Sequence, residues 1–238
     1  MSELAEGIRF GVHSAQERKP RLVDSAYSAI KSAIRNGTFP PGFQGSELEI
    51  AQRLGMSRTP VHQAIVQLQS EGMLELRAKR GVIVTALSPD DMREVYDVIV
   101  AVEGMAAHII ATLPADERDT ICDRLEGLND RMRQALDEDD LDRWADEDGA
   151  FHSMLVERAG NGRLERIAAV NLDQSHRARQ VTLNLRPKPV QSLIEHKGII
   201  DAMRSGDAPN SRLAAQQHKE RARDIVVPLL RRYKMNHL

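Results

Sequence analysis

The 238-residue sequence predicts a mostly α chain: a small N-terminal domain of helices finished by a β-hairpin, then an antiparallel all-helical bundle. Three observations predict it. Apolar residues recur at helical spacing through most of the chain. Alternating β runs are confined to the stretch between Leu74 and Thr85. Beyond it, Pro and Gly signals divide the sequence into helix-length runs with almost no strand character. The length suits two domains, placed at 21–86 and 87–238 behind an N-terminal arm over 1–20.

In chain order, residues 1–20 mix Gly, Ser, Glu, Arg and Lys without apolar periodicity and are expected to be a mobile arm. Leu22, Val23, Ala26, Ala29, Ile30, Ala33 and Ile34 mark an amphipathic helix stopped by Asn36-Gly37. Phe39-Pro40-Pro41-Gly42 forbids helix and forms a turn. Leu48, Ile50, Ala51 and Leu54 then share an apolar stripe, and Gly55 sits where a helix stops, because glycine enters the left-handed region cheaply. Ser57 offers a side-chain oxygen to the free amides of a second helix, Pro60 fits its first turn, and Val61, Ile65 and Leu68 repeat at helical spacing. The outward positions of that helix are Thr59, His62, Gln63, Val66 and Gln67, with Arg58 at its entrance. After Gly72, two short β runs flank the basic turn Arg77-Ala78-Lys79-Arg80-Gly81, which reads as a wing. A helix, tight turn and helix followed by a basic wing supplies both halves of DNA recognition. Ser57, Arg58, Thr59, His62, Gln63 and Gln67 can reach base edges or phosphates, while Lys79, Arg80 and Gly81 grip the backbone or minor groove.

Ser88-Pro89-Asp90-Asp91 opens the next helix. Breaks at Leu113-Pro114, 137–140, Gly160-Asn161-Gly162, Arg186-Pro187-Lys188-Pro189 and 206–209 leave about six helices, at 88–112, 115–136, 140–159, 163–185, 190–205 and 209–235. The run 137–140 is acidic and reads as an interhelical loop.

Formal net charge is −2, but it is unevenly placed. Residues 21–85 hold eight basic and five acidic side chains, 86–160 seven and twenty, and 161–238 fifteen and seven. A mildly basic first domain beside an acidic segment fits local DNA binding strengthened by a second copy, so a homodimer is expected. The single Cys122 excludes an internal disulfide framework, and no leader pattern opens the sequence, so the cytoplasm is the expected compartment. The most apolar run, Val95 to Leu113, carries Asp97, Glu103 and His108, too polar to span a bilayer.

Asp148 and His152 lie four apart on one helix, and His196 and His218 fall in two later ones. One carboxylate and three imidazoles from three helices of a bundle can converge on a divalent ion. Spacing alone leaves open a surface pair with scattered histidines.

From Gly37 to Thr85, Pro41-Gly42, Leu54-Gly55, Ser57-Arg58-Thr59-Pro60-Val61, Ala64, Leu68, Glu71-Gly72 and Gly81 resemble the winged helix-turn-helix of the GntR family of bacterial transcriptional regulators. The segments 102–107, Asp148-Gly149-Ala150-Phe151-His152, Gly160-Asn161, Glu195-His196 and 202–207 are similar to the FadR C-terminal (FCD) effector domain. In metal-binding members of that domain, the D-x3-H pair, the His of an E-H motif and a His on the last helix bind a divalent cation. Those positions match Asp148, His152, His196 and His218. Such a donor set suits Zn or Ni better than Ca or Mg. The resemblance also implies a small-molecule effector, often a carboxylic acid that ligates the metal.

Two positions depart from the family. His62 and Gln63 stand where Arg and Glu are usual in the recognition helix, which points to a different operator. Ile99 replaces the usual Arg of the Tyr-x-x-Arg-x-x-x-Glu pattern between Tyr96 and Glu103. Arg177 is a candidate donor to an anionic effector, and so is Arg179; Trp144, one turn before Asp148, is a candidate shield of the site or simple core. His108 and His176 are read as packing or solvent residues. The expected function is a ligand-responsive repressor on an inverted-repeat operator. A metal-dependent hydrolase is the rival, weakened by the lack of a His-Glu-x-x-His motif, phosphate loop or nucleophile elbow; the third reading is a DNA-binding protein whose helical domain only dimerises.

Overall fold

The structure, a computed structural model, describes residues 22–78 and 80–233. The arm expected over 1–20 and the wing residue Lys79 lie outside the described residues. The N-terminal domain runs α1 (Leu22–Arg35), β1 (Gln44–Gly45), α2 (Glu47–Arg53), α3 (Arg58–Ser70), β2 (Leu74–Arg77) and β3 (Gly81–Val84). The helical domain follows as α4 (Pro89–Ala111), α5 (Ala115–Asp137), α6 (Leu141–Arg158), α7 (Gly162–Thr182), a 3₁₀ turn (Leu183–Leu185), α8 (Val190–Arg204) and α9 (Ala208–Arg232). Among the described residues no helix is long and apolar enough to cross a membrane.

The first core gathers one face of α1 (Ala26, Ile30, Ala33, Ile34) against Val61, Ala64, Ile65 and Leu68 of α3 and the hairpin's Leu74, Val82 and Val84. Gly55 has φ +63, the left-handed turn expected between α2 and α3. Ser57 corrects one expectation. Its backbone is extended at the N-cap (φ −74, ψ 155), but its side chain makes no capping bond. Pro60 is the third residue of α3 and has no N–H, which removes one of the two amides a capping side chain normally reaches. The cap that does form belongs to Ser46, whose Oγ accepts from Glu49 N at 3.1 Å and opens α2. Leu48 leaves the apolar stripe and is 55% exposed, since two residues turn a helix by about 200° from Ile50.

The sheet has order β1-β3-β2, all antiparallel, with Leu74 opposite Val84 and Arg77 opposite Gly81. The two-residue β1 pairs Gln44 with Ile83 and was not legible as a strand. At Gly81 (φ +78) an added Cβ would lie 2.5 Å from Gly45 O, so the wing needs glycine where it crosses β1.

In the helical domain α4 and α9 pack along one another, and α5 packs against α6 and α8. Its larger core centres on Ala106, Ile110, Leu125, Met132, Phe151 and Ile199; a smaller one joins Met92, Tyr96 and Ile99 of α4 to Val226 and Leu230 of α9. Asp140 caps α6 by accepting from Arg143 N at 2.9 Å, so the end of the acidic run is a helix start.

The two domains meet where α1, the end of α3 and the end of the hairpin face α7. Lys31 pairs with Asp173, with Arg35 Nε 3.6 Å from the same carboxylate. Gln174 Nε2 donates to Gly72 O at 3.3 Å, and Arg177 Nη2 donates to Thr85 O at 2.6 Å.

Candidate metal centre and DNA-reading face

Helical periodicity divides α3 cleanly: Pro60, Val61, Ala64, Ile65 and Leu68 are buried, whereas Arg58, Thr59, His62, Gln63, Val66 and Gln67 are exposed on the other side. The sequence did not point to Glu47. This first residue of α2 holds His62 Nδ1 at 2.7 Å and Arg58 Nε at 3.4 Å, fixing two reading-face side chains against one carboxylate. The imidazole and guanidinium together hold the Glu47 carboxyl below its usual range. In the wing, Gln44 Nε2 donates to Arg80 O at 2.8 Å, which anchors the turn while leaving the Arg80 side chain exposed.

In the helical domain, α6, α8 and α9 bring His152, His196 and His218 together with one ring nitrogen from each within 4.8 Å of the others. His218 Nε2 lies 3.2 Å from His196 Nε2 and 3.4 Å from His152 Nε2. Asp148 borders the cluster, 3.5 Å from His152 Nε2 and 3.7 Å from His196 Nε2, and takes an ion pair from Arg179 Nη2 at 2.8 Å. The other ring nitrogens explain the convergence. His152 Nδ1 meets Glu103 Oε2 at 2.9 Å, and His218 Nδ1 meets Glu195 Oε2 at 2.8 Å. Each carboxylate accepts the Nδ1 proton, so in the neutral ring the Nε2 lone pair faces inward. Two buried lone pairs confronting one another repel, and a divalent cation between them satisfies both; the donor chemistry therefore fits a metal. His196 Nδ1 is buried without a partner. Burial, reinforced by neighbouring positive charge, holds His196 and His218 well below the usual imidazole range and so keeps them as neutral ligands. Burial raises the Asp148 carboxyl, but Arg179 and His152 outweigh it and hold it well below the usual range.

Glu103 and Glu195 are candidate site residues that sequence reasoning did not assign. Glu103, wholly buried, also sits 3.3 Å from Lys219 Nζ; Glu195 also takes Arg221 Nη2 at 2.6 Å. Glu195 directly precedes His196, and Glu103 lies on α4 seven residues after Tyr96, so neither spacing announces a partner on another helix.

Beside the histidines opens a cavity of 260 Å³ whose lining includes Tyr96, Trp144, Arg179, Arg186, Lys219 and Arg221. Asp148 and His218 also line it, so the cavity reaches the centre. Trp144 lines the cavity and is at the same time buried in the larger apolar core. Ile99 does not line the cavity; it is buried in the small apolar core with Tyr96 and Val226. Arg177 is likewise elsewhere, at the domain seam, where Nη1 donates to Gln174 Oε1 at 2.7 Å and Nη2 to Thr85 O. Burial pushes its guanidinium down to about 10. Arg179, two residues on and about 200° around α7, is the one that faces the cavity. His176 lies between them in the chain, with Nδ1 3.3 Å from Arg179 Nη1, and lines a cleft toward α1. His108 is not part of the cluster.

The profile described as "Bacterial regulatory proteins, gntR family" matches residues 22–84, and that of the FCD domain matches residues 94–221. The chain is 46% identical over 134 residues to an HTH-type transcriptional regulator in the TAR-I ttuE-ttuC' intergenic region of Agrobacterium vitis, covering 56% of this chain and 78% of that one. It is 26% identical over 201 residues to the HTH-type transcriptional repressor RspR of Escherichia coli K12, covering 84% and 86%. Among solved structures, E. coli McbR/YncC matches with a TM-score of 0.76 at 17% identity, over 88% of this chain and 98% of that one, which speaks for the fold. The matched families and relatives are transcriptional regulators, so the hydrolase reading falls. With a reading helix and wing in front and a histidine-centred helical domain behind, the chain belongs to the GntR family of DNA-binding transcriptional regulators, in the group that carries an FCD domain.

Proposed function

We propose that the chain is a cytoplasmic, homodimeric repressor that binds an inverted-repeat operator and releases it when a small acid enters the helical domain. On this reading residues 21–86 form the DNA-binding unit and 87–238 the effector-binding and dimerisation unit. Asp148, His152, His196 and His218 hold a divalent transition metal, zinc or nickel by their donor chemistry. When bound, the ion supplies a fixed positive charge and open coordination positions for an acid oxygen. The observation that carries the reading is the convergence of carboxylate-oriented Nε2 atoms at the end of a cation-lined cavity. Repression is supported by RspR, which is named a repressor.

Helix α7 ties the cavity to the DNA-binding domain. Arg179 ion-pairs with Asp148 and lines the cavity, while Asp173, Gln174 and Arg177 of the same helix hold α1, Gly72 and Thr85. An acid that draws Arg179 away from Asp148 changes the setting of α7 and so favours one inter-domain arrangement over another. A dimer responds because only one spacing of its two reading helices matches two half-sites.

Two variants test the reading. Arg58→Ala should weaken operator binding while leaving the thermal midpoint unchanged. His196→Ala should empty the centre of metal and leave effector-free DNA binding largely intact. Unchanged DNA affinity in the first variant would refute the reading face. Purified wild-type protein that holds no metal and whose midpoint ignores a chelator would favour a helical domain that only dimerises.

A further inference from the structure

The charges around the cavity do not balance. Arg179 is matched by Asp148, Lys219 by Glu103 and Arg221 by Glu195, and the more distant Lys188 by Asp139. Arg186 has no carboxylate partner among the described residues, and its Nε is buried without any hydrogen bond. Trp144 Nε1 is in the same condition and lines the same cavity. A buried donor without an acceptor costs free energy comparable to a lost hydrogen bond, and an unpaired guanidinium costs more. Two such donors lining one cavity therefore mark where acceptor oxygens belong. One positive charge is uncompensated as the side chains stand, and three once a divalent ion is held. At about 30 Å³ per water-sized group, 260 Å³ holds about nine non-hydrogen atoms, the size of a short acid rather than a nucleotide or a fatty acid.

Resting on the effector reading above, we infer that the cavity takes a small diacid, with one carboxylate toward the histidine centre and the second held by the Arg186 guanidinium and Trp144 Nε1–H. The planar fork of arginine suits a carboxylate bidentately, and the indole N–H adds a single directed bond. A monoacid leaves Arg186 unmatched and offsets one charge instead of two. Arg186 is thus the residue that separates diacids from monoacids. It performs from the turn before α8 a task that Ile99, apolar and absent from the cavity lining, cannot.

The test uses zinc-loaded full-length protein titrated with the four-carbon diacids succinate, malate and tartrate and with the four-carbon monoacid butyrate. Binding is read by calorimetry and by the emission of Trp144, the single tryptophan. At least one diacid should bind thirtyfold or more tighter than butyrate. Arg186→Met should cut that affinity at least tenfold and change butyrate binding less than threefold, with zinc content unchanged. Arg186→Lys, which keeps the charge without the fork, should fall between and decides the matter if the methionine variant does not fold. Trp144→Phe, followed by calorimetry, should lose severalfold for the diacid alone. Equal affinity for butyrate and every diacid, or equal losses for both acid types in the Arg186 variants, overturns the inference and leaves the effector reading standing. Failure of the zinc-loaded wild type to bind any acid overturns both.

Discussion

Glu103→Gln is the substitution that most sharply separates a metal site from a merely buried polar cluster. The carboxylate is wholly buried and serves two partners, accepting from His152 Nδ1 at 2.9 Å and pairing with Lys219 Nζ at 3.3 Å. The amide is nearly isosteric, so packing is conserved and the change is electrostatic. Removing one partner of a buried ion pair costs about 3–5 kcal/mol. That loss has a ceiling, because burial already lowers the ammonium of Lys219, which can shed its proton once its counter-charge is gone. At about 2–4 °C per kcal/mol for a chain of this size, the metal-free variant should melt roughly 10 °C lower. The second effect is on the metal. Without the carboxylate, His152 loses the charged, acceptor-only partner that fixes its tautomer and raises its basicity, and loss of such a partner typically weakens metal affinity by about 10–100-fold. Competition against a chromophoric chelator measures the affinity, and scanning calorimetry of the chelated protein measures the midpoint. Glu195→Gln is the internal comparison. Its carboxylate orients His218 but pairs with the half-exposed Arg221, so the metal affinity should fall similarly while the midpoint falls less. Zinc affinity within twofold of wild type in both variants would refute the argument that these carboxylates aim the imidazoles at a metal.

Other outcomes follow from the same structure. Burial pushes His176 from 6.5 down to about 3, and holds His196 and His218 well below 6.5. Groups with depressed folded pKa values lose stability as the pH falls below the unfolded value, because only the unfolded chain binds the protons. The unfolding free energy of chelated protein, from urea titrations, should therefore decline below pH 6.5, by about 1.4 kcal/mol per pH unit for each of the three rings, and His176→Phe should remove about a third of that slope. Arg177→Met should leave Thr85 O and Gln174 Oε1 without their donor at the seam, costing about 1–3 kcal/mol; proteolysis between residues 85 and 88 should quicken while metal content stays the same. Glu47→Gln removes the carboxylate that holds Arg58 and His62 on the reading face and should tighten salt-sensitive, sequence-independent DNA binding, measured by anisotropy across a salt series.

Much of the architecture was legible because it rests on local rules. Periodicity placed the helices to within a few residues, and Gly55, Gly81 and Pro89 stand where turn and first-turn chemistry require them. The histidine cluster was singled out chiefly through resemblance, since His152, His196 and His218 are far apart in sequence and spacing alone left a chance scatter open. What escaped depends on which way a side chain turns in three dimensions. Arg177 and Arg179 look equivalent in sequence, yet their angular separation on α7 sends one to the seam and the other to the cavity. Ser57 carries a capping residue type but faces a proline without an N–H, and the capping falls to Ser46 instead. Glu103 and Glu195 act across helix boundaries, on histidines that no window of sequence contains.

The central claim is that occupancy of the histidine-centred cavity governs DNA binding. Its most direct test is operator affinity, measured by fluorescence anisotropy on a fragment that the purified protein selects from genomic DNA, with zinc-loaded wild type and His196→Ala compared with and without the tightest-binding diacid. The diacid should weaken operator binding of the wild type at least tenfold and leave the variant unchanged. Equal operator affinity with and without the acid in a wild type shown by calorimetry to have bound it would contradict the account.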